Sequence, residues 1–373
     1  MESGNKMYTT RQKQLENYIQ QTLKVEVALI MSPINVYYYT GFQTDPHERF
    51  FAFVIDATSG ETTLFLPTLD KNAAEEQAHV DKLIPISDTD DAYKKFAEII
   101  GSNVTSFVYE KSYVTVAQHE QISQYFSKAS FTDIEPLISS VRRKKSSAEI
   151  TQVKKAINIT EAGLKKTIKR IKQGMTETEI KAELEYQLML LGAEGIAFDT
   201  IVLSGEKSAL PHGVPGGRKI ENSDFLLFDF GVTVNGYHSD LTRTFIIGEG
   251  TDKQVDIYET VRLANEKAIA QVNVGQPLKN VDLAARDYIS SKQYGAYFTH
   301  RIGHGLGLDV HEQPSIHHEN EELMEPGLLF TIEPGIYIPD LGGVRIEDNV
   351  YINEQGEVEV LTTYPKQLTY ISI

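Results

Sequence analysis

Two aspartates, Asp229 and Asp240, stand in apolar runs on either side of an Asn-Gly pair at positions 235–236. Asn-Gly between such runs is the strongest short-range signal for a β-hairpin with a two-residue turn. Counting back from the turn sets Asp229 opposite Thr242, with Asp240 diagonally across on the same face, its Cα roughly 7–8 Å away. Two carboxylates this close in an apolar sheet repel unless a proton or a cation lies between them. The hairpin therefore predicts a cation site, and a pair of divalent ions is a common solution.

Three further side chains that could bind a metal follow later in the chain: His304, Glu333 and Glu347. Each one alone is more often structural or exposed than a ligand, although glutamate is disfavoured in strands unless it is exposed or used. Together with the two aspartates they offer one imidazole and four carboxylates, whose charges two divalent cations would neutralise. Oxygen ligands with a single imidazole suit Mn, Co, Fe or Zn better than a structural zinc site.

The two glutamates pose a register problem. A hairpin with a plain four-residue loop at residues 340–343 would pair Glu333 with Val350 and place Glu347 on the opposite face. If both bind metal, an odd-length loop or a β-bulge must shift the register. The bulge is expected at Pro334-Gly335.

The elements that must position these residues form two similar series. Capping-box spacing opens two helices at Ser146 and Thr176, and a third helix has the same signal at Thr251. The expected helices are residues 146–174, 176–192, 251–274 and 280–291, and the expected strands are the hairpin 225–248 and residues 198–203, 297–301, 328–338 and 344–352. Helices followed by strands, twice over, predict two related halves that face each other across a cleft.

Residues 7–141 alternate between helical and strand patterns, which predicts a smaller α/β domain with a mixed sheet. No Walker loop or Gly-x-Gly-x-x-Gly motif occurs there, so nothing marks a nucleotide site. A polar loop at residues 41–49 carries His47, and a solvated loop is its simpler interpretation. Two domains, residues 7–141 and 146–373, suit a chain of 373 residues, and the overall fold class is α/β (α+β).

The composition excludes several kinds of site. The chain has no cysteine, so any metal site must use oxygen and imidazole ligands. A formal net charge of −16 argues against nucleic acid or an anionic membrane as a partner. The basic run at residues 142–145 is too short to change this and is expected to be a solvated helix end or linker. Without a long apolar run or a signal-peptide core, we expect a cytoplasmic protein. We expect residues 1–6 to be a non-native extension before a start at Met7.

Five motifs carry a family resemblance. The sequences LLFDFG, SDLTRT, HRIGHGLGLDVHE, TIEPG and GGVRIED closely resemble the motifs of the pita-bread dinuclear metallopeptidases, the group of methionine aminopeptidase, Xaa-Pro aminopeptidase and prolidase. The resemblance runs from about residue 146 to the end. The preceding segment resembles the creatinase-type domain of the proline-specific members, and PHER and HRIGHG look most like prolidase. The resemblance implies a pita-bread catalytic domain and a homodimer.

The same resemblance implies roles for individual residues. Two divalent metal ions, first of all Mn, with a bridging water or hydroxide, would be held by Asp229, Asp240, His304, Glu333 and Glu347. Glu333 would also shuttle a proton, and His212 and His311 would stabilise substrate and tetrahedral intermediate. Candidates on the substrate side or around the metal ligands are His47, Thr242, His300, Arg301 and Arg345. The implied activity is hydrolysis of the peptide bond before proline, most of all in X-Pro dipeptides.

Other functions stay open on the sequence alone. An Xaa-Pro aminopeptidase acting on longer peptides is the nearest alternative, and Arg301, with His47 second, is the candidate that would read the free carboxylate of a dipeptide. A non-catalytic protein and a metal-free, creatinase-like hydrolase normally lose metal-ligand carboxylates, and none is missing here. A dinuclear phosphoesterase would prefer a basic mouth, which the acidic composition disfavours.

Overall fold

The computed structural model describes residues 2–372, and the chain divides into two compact units between Ser139 and Ser140. The first unit is built around a mixed six-stranded sheet of order β4-β3-β2-β1-β5-β6. Its strands are β1 (Val27–Ile30), β2 (Ala52–Asp56), β3 (Thr62–Pro67), β4 (Lys82–Ile86), β5 (Ser106–Tyr109) and β6 (Ser130–Asp133). Its helices are α1 (Glu2–Tyr18), α2 (Pro33–Thr40), α3 (Lys71–Gln77), α4 (Ala92–Ile100), α5 (Val116–Tyr125) and α6 (Glu135–Arg142), the last of which leads into the second unit.

Three elements of the first unit were not expected from the sequence: helices α2 and α6 and strand β6. Helix α1 begins at Glu2, so it includes residues of the segment expected to be a non-native extension, and Met1 lies outside the described residues. Helix α2 has three consecutive tyrosines that gave no helical period, and it forms because the buried carboxylate of Glu110 accepts hydrogen bonds from Met31 N and Ser32 N just before the first turn.

The second unit has two halves of similar make-up. The first half holds α7 (Ser147–Ile168), α8 (Glu177–Leu190), β7 (Gly195–Ile196), β8 (Ile201–Ser204), β9 (Phe225–Phe230), β10 (Val232–Val234), β11 (Tyr237–His238) and β12 (Leu241–Ile247). The second half holds α9 (Asp252–Ile269), α10 (Lys279–Ser291), β13 (Gly303–Gly305), β14 (Glu312–Ile316), β15 (Leu329–Ile332), β16 (Gly335–Ile338), β17 (Gly342–Arg345), β18 (Asp348–Ile352), β19 (Val358–Val360) and β20 (Tyr370–Ile371). Each half packs its helices on its own buried apolar cluster. The predicted mixed α/β architecture is confirmed.

The hairpin has the predicted register. Val234 pairs with Tyr237, and Asp229 pairs with Thr242. Asn235 and Gly236 both have positive φ, as a type I′ turn requires. The alternate residues of the first arm, Leu226, Phe228, Phe230 and Val232, are fully buried in the core. Because one face of the arm fills the core, the carboxylate of Asp229 is directed to the other face.

The loop between β16 and β17 solves the register problem of the two glutamates. Ile338 pairs with Gly342, which leaves a loop of residues 339–341 instead of the expected four-residue loop. Phe330 pairs with Val350 in the same register as Ile338 with Gly342. The register therefore does not shift at Pro334, and Glu333 stands across from Glu347. The odd-length loop is therefore right, and the bulge at Pro334-Gly335 is wrong. Pro334 instead separates β15 from β16, because proline has no N–H to give to a ladder.

The strand expected at residues 297–301 is wrong. A short 3₁₀ turn covers Gly295–Tyr297, and the next strand is β13. The carbonyls of Phe298 and His300 accept hydrogen bonds from the guanidinium of Arg286 on α10, at 3.1 and 2.8 Å. A side chain thus satisfies the backbone groups that a strand would have paired.

None of the helices among residues 2–372 is long and apolar enough to cross a membrane.

Candidate metal centre

Three of the predicted ligands form a compact buried group where the two halves of the second unit meet. Asp240, before β12, His304 on β13 and Glu347, before β18, each offer one ligand atom, and these atoms all lie within 4.8 Å of one another. All three residues are buried. Donors from both halves thus converge on one point, which is the arrangement a metal ion needs.

The other two predicted ligands border this group. His304 Nε2 lies 3.4 Å from Glu333 Oε1 and 3.7 Å from Asp240 Oδ2. Asp229 stands across from Thr242 on β12, and its Oδ2 accepts a hydrogen bond from Arg345 Nη2. The structure therefore brings all five predicted side chains to one place.

The electrostatics of the group fit a cation. Burial, and after it the charge of Glu347, raises the pKa of Asp240 well above its usual range. Burial likewise raises the pKa of Glu347, and it raises the pKa of Glu333 to about 8. Glu347 Oε1 is buried and has no hydrogen-bond partner among the described residues. An orphaned carboxylate oxygen among other buried carboxylates is stabilised by a divalent ion.

His304 is prepared to act as a neutral ligand. Its Nδ1 lies 3.1 Å from the carbonyl of Gly305, so Nδ1 carries the hydrogen and Nε2 presents its lone pair to the carboxylates. Burial lowers the pKa of His304 to about 3, which keeps the ring uncharged at neutral pH. A metal requires the neutral imidazole.

A polar network surrounds the group and includes Tyr337, which sequence reasoning missed. Arg345 Nε donates to Thr242 Oγ1 at 3.1 Å, and Thr242 Oγ1 donates to Glu347 Oε2 at 2.7 Å. Arg345 Nη1 donates to the Tyr337 hydroxyl at 2.8 Å, and that hydroxyl lies 3.0 Å from His300 Nε2. A Cβ at position 335 would collide with the tyrosine hydroxyl, so Gly335 leaves room for this network, but nothing in the local sequence indicated Tyr337.

The three predicted histidines beside the ligands lie near one another. The ring centroid of His311 is 4.2 Å from that of His304. Burial, and after it the charge of Arg345, lowers the pKa of His300 to about 4, and burial also lowers the pKa of His311. His212, exposed in the loop after β8, is close enough to contribute to both shifts. His300 and His311 are thus both within electrostatic range of His212.

The two candidates for reading a substrate carboxylate have different surroundings. Arg301 is exposed, its Nη1 donates to Ser315 Oγ at 3.0 Å, and its charge helps to lower the pKa values of His304 and His311. It therefore lies at the rim of the centre. His47 lies exposed in the first unit, with its Nδ1 3.3 Å from Asp45 Oδ2. Its role stays a prediction.

The basic run at residues 142–145 is not the solvated segment that was expected. Arg142 and Lys145 are buried, and both pair with Glu312, at 2.5 and 2.7 Å, beside a further ion pair from Arg142 to Asp309. The acidic partners lie far away in sequence, so no local pattern could indicate them. This ion cluster anchors the segment that carries His311, the residue before Glu312.

We expect Glu312→Gln to lower the free energy of unfolding by about 3 kcal/mol at pH 7, because it leaves buried cations without their partner. Burial would raise the pKa of Glu312, but Lys145 and Arg142 outweigh it and lower that pKa to about 2. The stabilisation is therefore complete above the ordinary value of 4.5 and is lost as the pH falls towards 2. Urea unfolding at pH 7 and pH 3 measures both effects.

The matched control for that experiment is Glu325→Gln, which removes the exposed ion pair to Lys144. Its effect should stay within about 0.5 kcal/mol at either pH, because exposed pairs contribute little. An equal loss in both variants, or a gap between wild type and Glu312→Gln that does not narrow at pH 3, would contradict the assignment.

A domain of two related α/β halves, with buried carboxylates and one imidazole between them, defines the class of the pita-bread metallopeptidases. The model of metallopeptidase family M24 matches residues 151–354, and that of the creatinase/prolidase N-terminal domain matches residues 11–144. The chain belongs to metallopeptidase family M24, and the observed cluster is its candidate site for a divalent metal ion.

Known relatives cover almost the whole chain. An uncharacterized peptidase from Staphylococcus aureus strain MW2 is 37% identical over 343 residues, which are 92% of this chain and 96% of that protein. The solved X-Pro aminopeptidase from Thermotoga maritima MSB8 is 33% identical with a TM-score of 0.87, covering 97% of this chain and 100% of that one. The solved prolidase from Pyrococcus furiosus is 36% identical with a TM-score of 0.84, covering 93% of this chain and 99% of that one.

Proposed function

We propose that this protein hydrolyses the peptide bond before proline, with X-Pro dipeptides as its preferred substrates and two divalent ions, first of all Mn, as cofactors. The observation that supports the proposal is the convergence of five candidate ligand side chains with an exposed arginine, Arg301, at the rim. The two solved relatives carry the names prolidase and X-Pro aminopeptidase, so they support proline specificity and leave the substrate length open.

The residues have distinct tasks in this proposal. The five carboxylate and imidazole ligands would hold the ions: Asp229, Asp240, His304, Glu333 and Glu347. Bound divalent ions supply a water of lowered pKa and polarise the carbonyl of the scissile bond. Glu333, within 3.4 Å of the ligand nitrogen of His304, takes the proton of the attacking water and gives it to the leaving nitrogen. Arg345 holds Asp229 and, through Thr242, Glu347 in place.

Two of the three histidines would act on the substrate carbonyl, and the third would position a neighbouring residue. His311, in contact with the His304 ring, and His212, in the loop after β8, would donate hydrogen bonds to the oxyanion that develops in the transition state. His300 is bound on both sides, by Tyr337 at Nε2 and by the Arg301 carbonyl at Nδ1. It therefore orients the segment from which Arg301 projects.

We expect Arg301→Ala to lower kcat/KM for X-Pro dipeptides by roughly one to two decades, and His47→Ala to do the same. A charge-assisted hydrogen bond to a free carboxylate contributes about 1.5–3 kcal/mol. Wild type should prefer X-Pro to X-Pro-Y by a similar margin, because the longer peptide has no carboxylate at that place. Proline release from both kinds of peptide measures this.

An arginine outside the centre provides the control. Arg170→Ala removes an exposed cation that pairs only at the surface with Glu183, and it should leave both rates unchanged. Equal or faster cleavage of X-Pro-Y by wild type would favour the second candidate, an Xaa-Pro aminopeptidase, which the similarity to the Thermotoga maritima enzyme also supports. A homodimer and a cytoplasmic location stay predictions.

A further inference from the structure

The loop that carries His212 has little regular structure of its own. It leaves β8 through a 3₁₀ turn at Gly205–Ala209, and residues 210–217 form no helix or strand. Three exposed residues mark its outer part, namely Leu210, His212 and Val214. A side chain on such a segment keeps a fixed place only if the ends of the segment are held.

One buried carboxylate holds both ends of this loop. Glu177, the first residue of α8, is 0% exposed. Its Oε1 accepts hydrogen bonds from Ser204 N at 2.8 Å and Ser204 Oγ at 3.0 Å, on the side where the loop begins. Its Oε2 accepts from Gly216 N at 3.0 Å, on the side where the loop ends. The same carboxylate thus spans the loop that presents His212.

Lys207 completes the tether from inside the loop. Its Nζ lies 2.6 Å from Glu177 Oε2 and also donates to the carbonyl of Val214 at 3.1 Å. A buried carboxylate such as that of Glu177 is stable only when it is paired and hydrogen-bonded, and Lys207 supplies the opposite charge. The hydrogen bond from Lys207 to the Val214 carbonyl lies two residues after His212. The pair therefore holds the loop close to His212.

We propose that Glu177, together with Lys207, is a positioning residue that holds the loop carrying His212 in the place where His212 can act. The inference rests on the proposed function, because it assumes that His212 acts on the substrate. Glu177 itself touches no metal ligand in the contacts described above. Gln at position 177 could still accept from Ser204, but its amide group would meet the donors Lys207 Nζ and Gly216 N. The far end of the loop would then lose its side-chain hydrogen bonds and keep only backbone bonds, such as the one from Thr178 N to the Gly216 carbonyl at 3.1 Å.

The test is a double-mutant cycle between Glu177→Gln and His212→Ala on the metal-loaded protein. Glu177→Gln should lower kcat for an X-Pro dipeptide roughly 10- to 100-fold, because a small misplacement of a catalytic group is costly. In the His212→Ala background the same change should lower kcat by less than about 2-fold, since the group that it positions is gone. Metal content should stay at the wild-type level.

Amide hydrogen exchange of residues 205–217 gives a second measurement that does not depend on activity. Exchange should be faster in Glu177→Gln and in Lys207→Met, and unchanged in Glu179→Gln, an exposed residue two positions along the same helix. Lys207→Met is the variant to use in the cycle if Glu177→Gln does not fold. Its expected effects are the same.

Two results would overturn the inference: equal losses of kcat from Glu177→Gln in the wild-type and His212→Ala backgrounds, or wild-type exchange and kcat in Glu177→Gln. If wild type releases no proline from any X-Pro peptide, the proposed function fails instead. Unchanged exchange in both tether variants would then overturn the inference as well, because it would show that the pair does not hold the loop.

Discussion

Asp240→Asn and Glu333→Gln should each lower kcat for X-Pro hydrolysis by roughly 10³-fold or more. Asp240 lies within the buried group and offers a ligand atom beside His304 and Glu347, so an amide there would remove both a candidate ligand oxygen and a balancing charge. Glu333 would lose its capacity to carry a proton, a function that contributes about 10²–10⁴ in rate by itself. Proline release under saturating substrate is the measurement.

Metal analysis is the companion measurement. Wild type should bind two divalent ions per chain, and Asp240→Asn should bind fewer, because the remaining buried carboxylates no longer match the cation charge. Asp287→Asn, an exposed carboxylate on α10, is the matched amide control and should keep both activity and metal. Full activity after exhaustive chelation, or in either ligand variant, would rule out the dinuclear mechanism.

His212→Ala should lower kcat by roughly 10²–10³-fold while the metal content stays near that of wild type. The reason is its place: His212 is exposed in a loop, outside the buried group that Asp240, His304 and Glu347 form. A charge on His212 would also add to the lowering of the pKa values of His300 and His311, so these three residues lie in the same region. Rates and elemental analysis on the same preparations separate catalysis from metal binding.

An exposed histidine elsewhere is the control for that variant. His318→Ala removes an exposed imidazole that contacts only the neighbouring His317 among the ring pairs described, and it should change neither rate nor metal content. Loss of metal in His212→Ala would move His212 into the coordination sphere and show that the proposed role is wrong.

The hairpin and its register could be predicted from the local sequence alone. Asn235-Gly236 between two apolar arms strongly favours a tight turn, and that turn sets Asp229 opposite Thr242. The capping boxes at Ser146, Thr176 and Thr251 likewise formed as predicted, each with the side chain of its cap residue bound to the third residue of its helix. These features depend on residues a few positions apart, so the sequence contains all the information that they need.

The relative position of the second pair of candidate ligands, Glu333 and Glu347, could not be predicted from the local sequence. Whether Glu333 and Glu347 share a face depends on one residue of loop length. The amino-acid sequence between Ile338 and Val344 is compatible with a loop of three or of four residues. In the structure the loop has three residues, and β17 is bound to the 3₁₀ turn after β8 by a hydrogen bond from Gly343 N to Ser208 Oγ at 2.8 Å. The three-residue loop brings Glu333 across from Glu347.

By itself, then, the sequence determined the helices with strong caps and the hairpin, because residue type and short spacing carry those signals. The five candidate ligands were identified by residue type and by their place in family motifs. Only the tertiary structure decided that Tyr337 joins Arg345 to His300, that Arg142 and Lys145 are buried against Glu312, and that Glu177 spans the His212 loop. Each of these contacts joins residues on separate elements. Their partners are selected by how buried segments pack and by the need to satisfy every buried charge, and no local pattern records that selection.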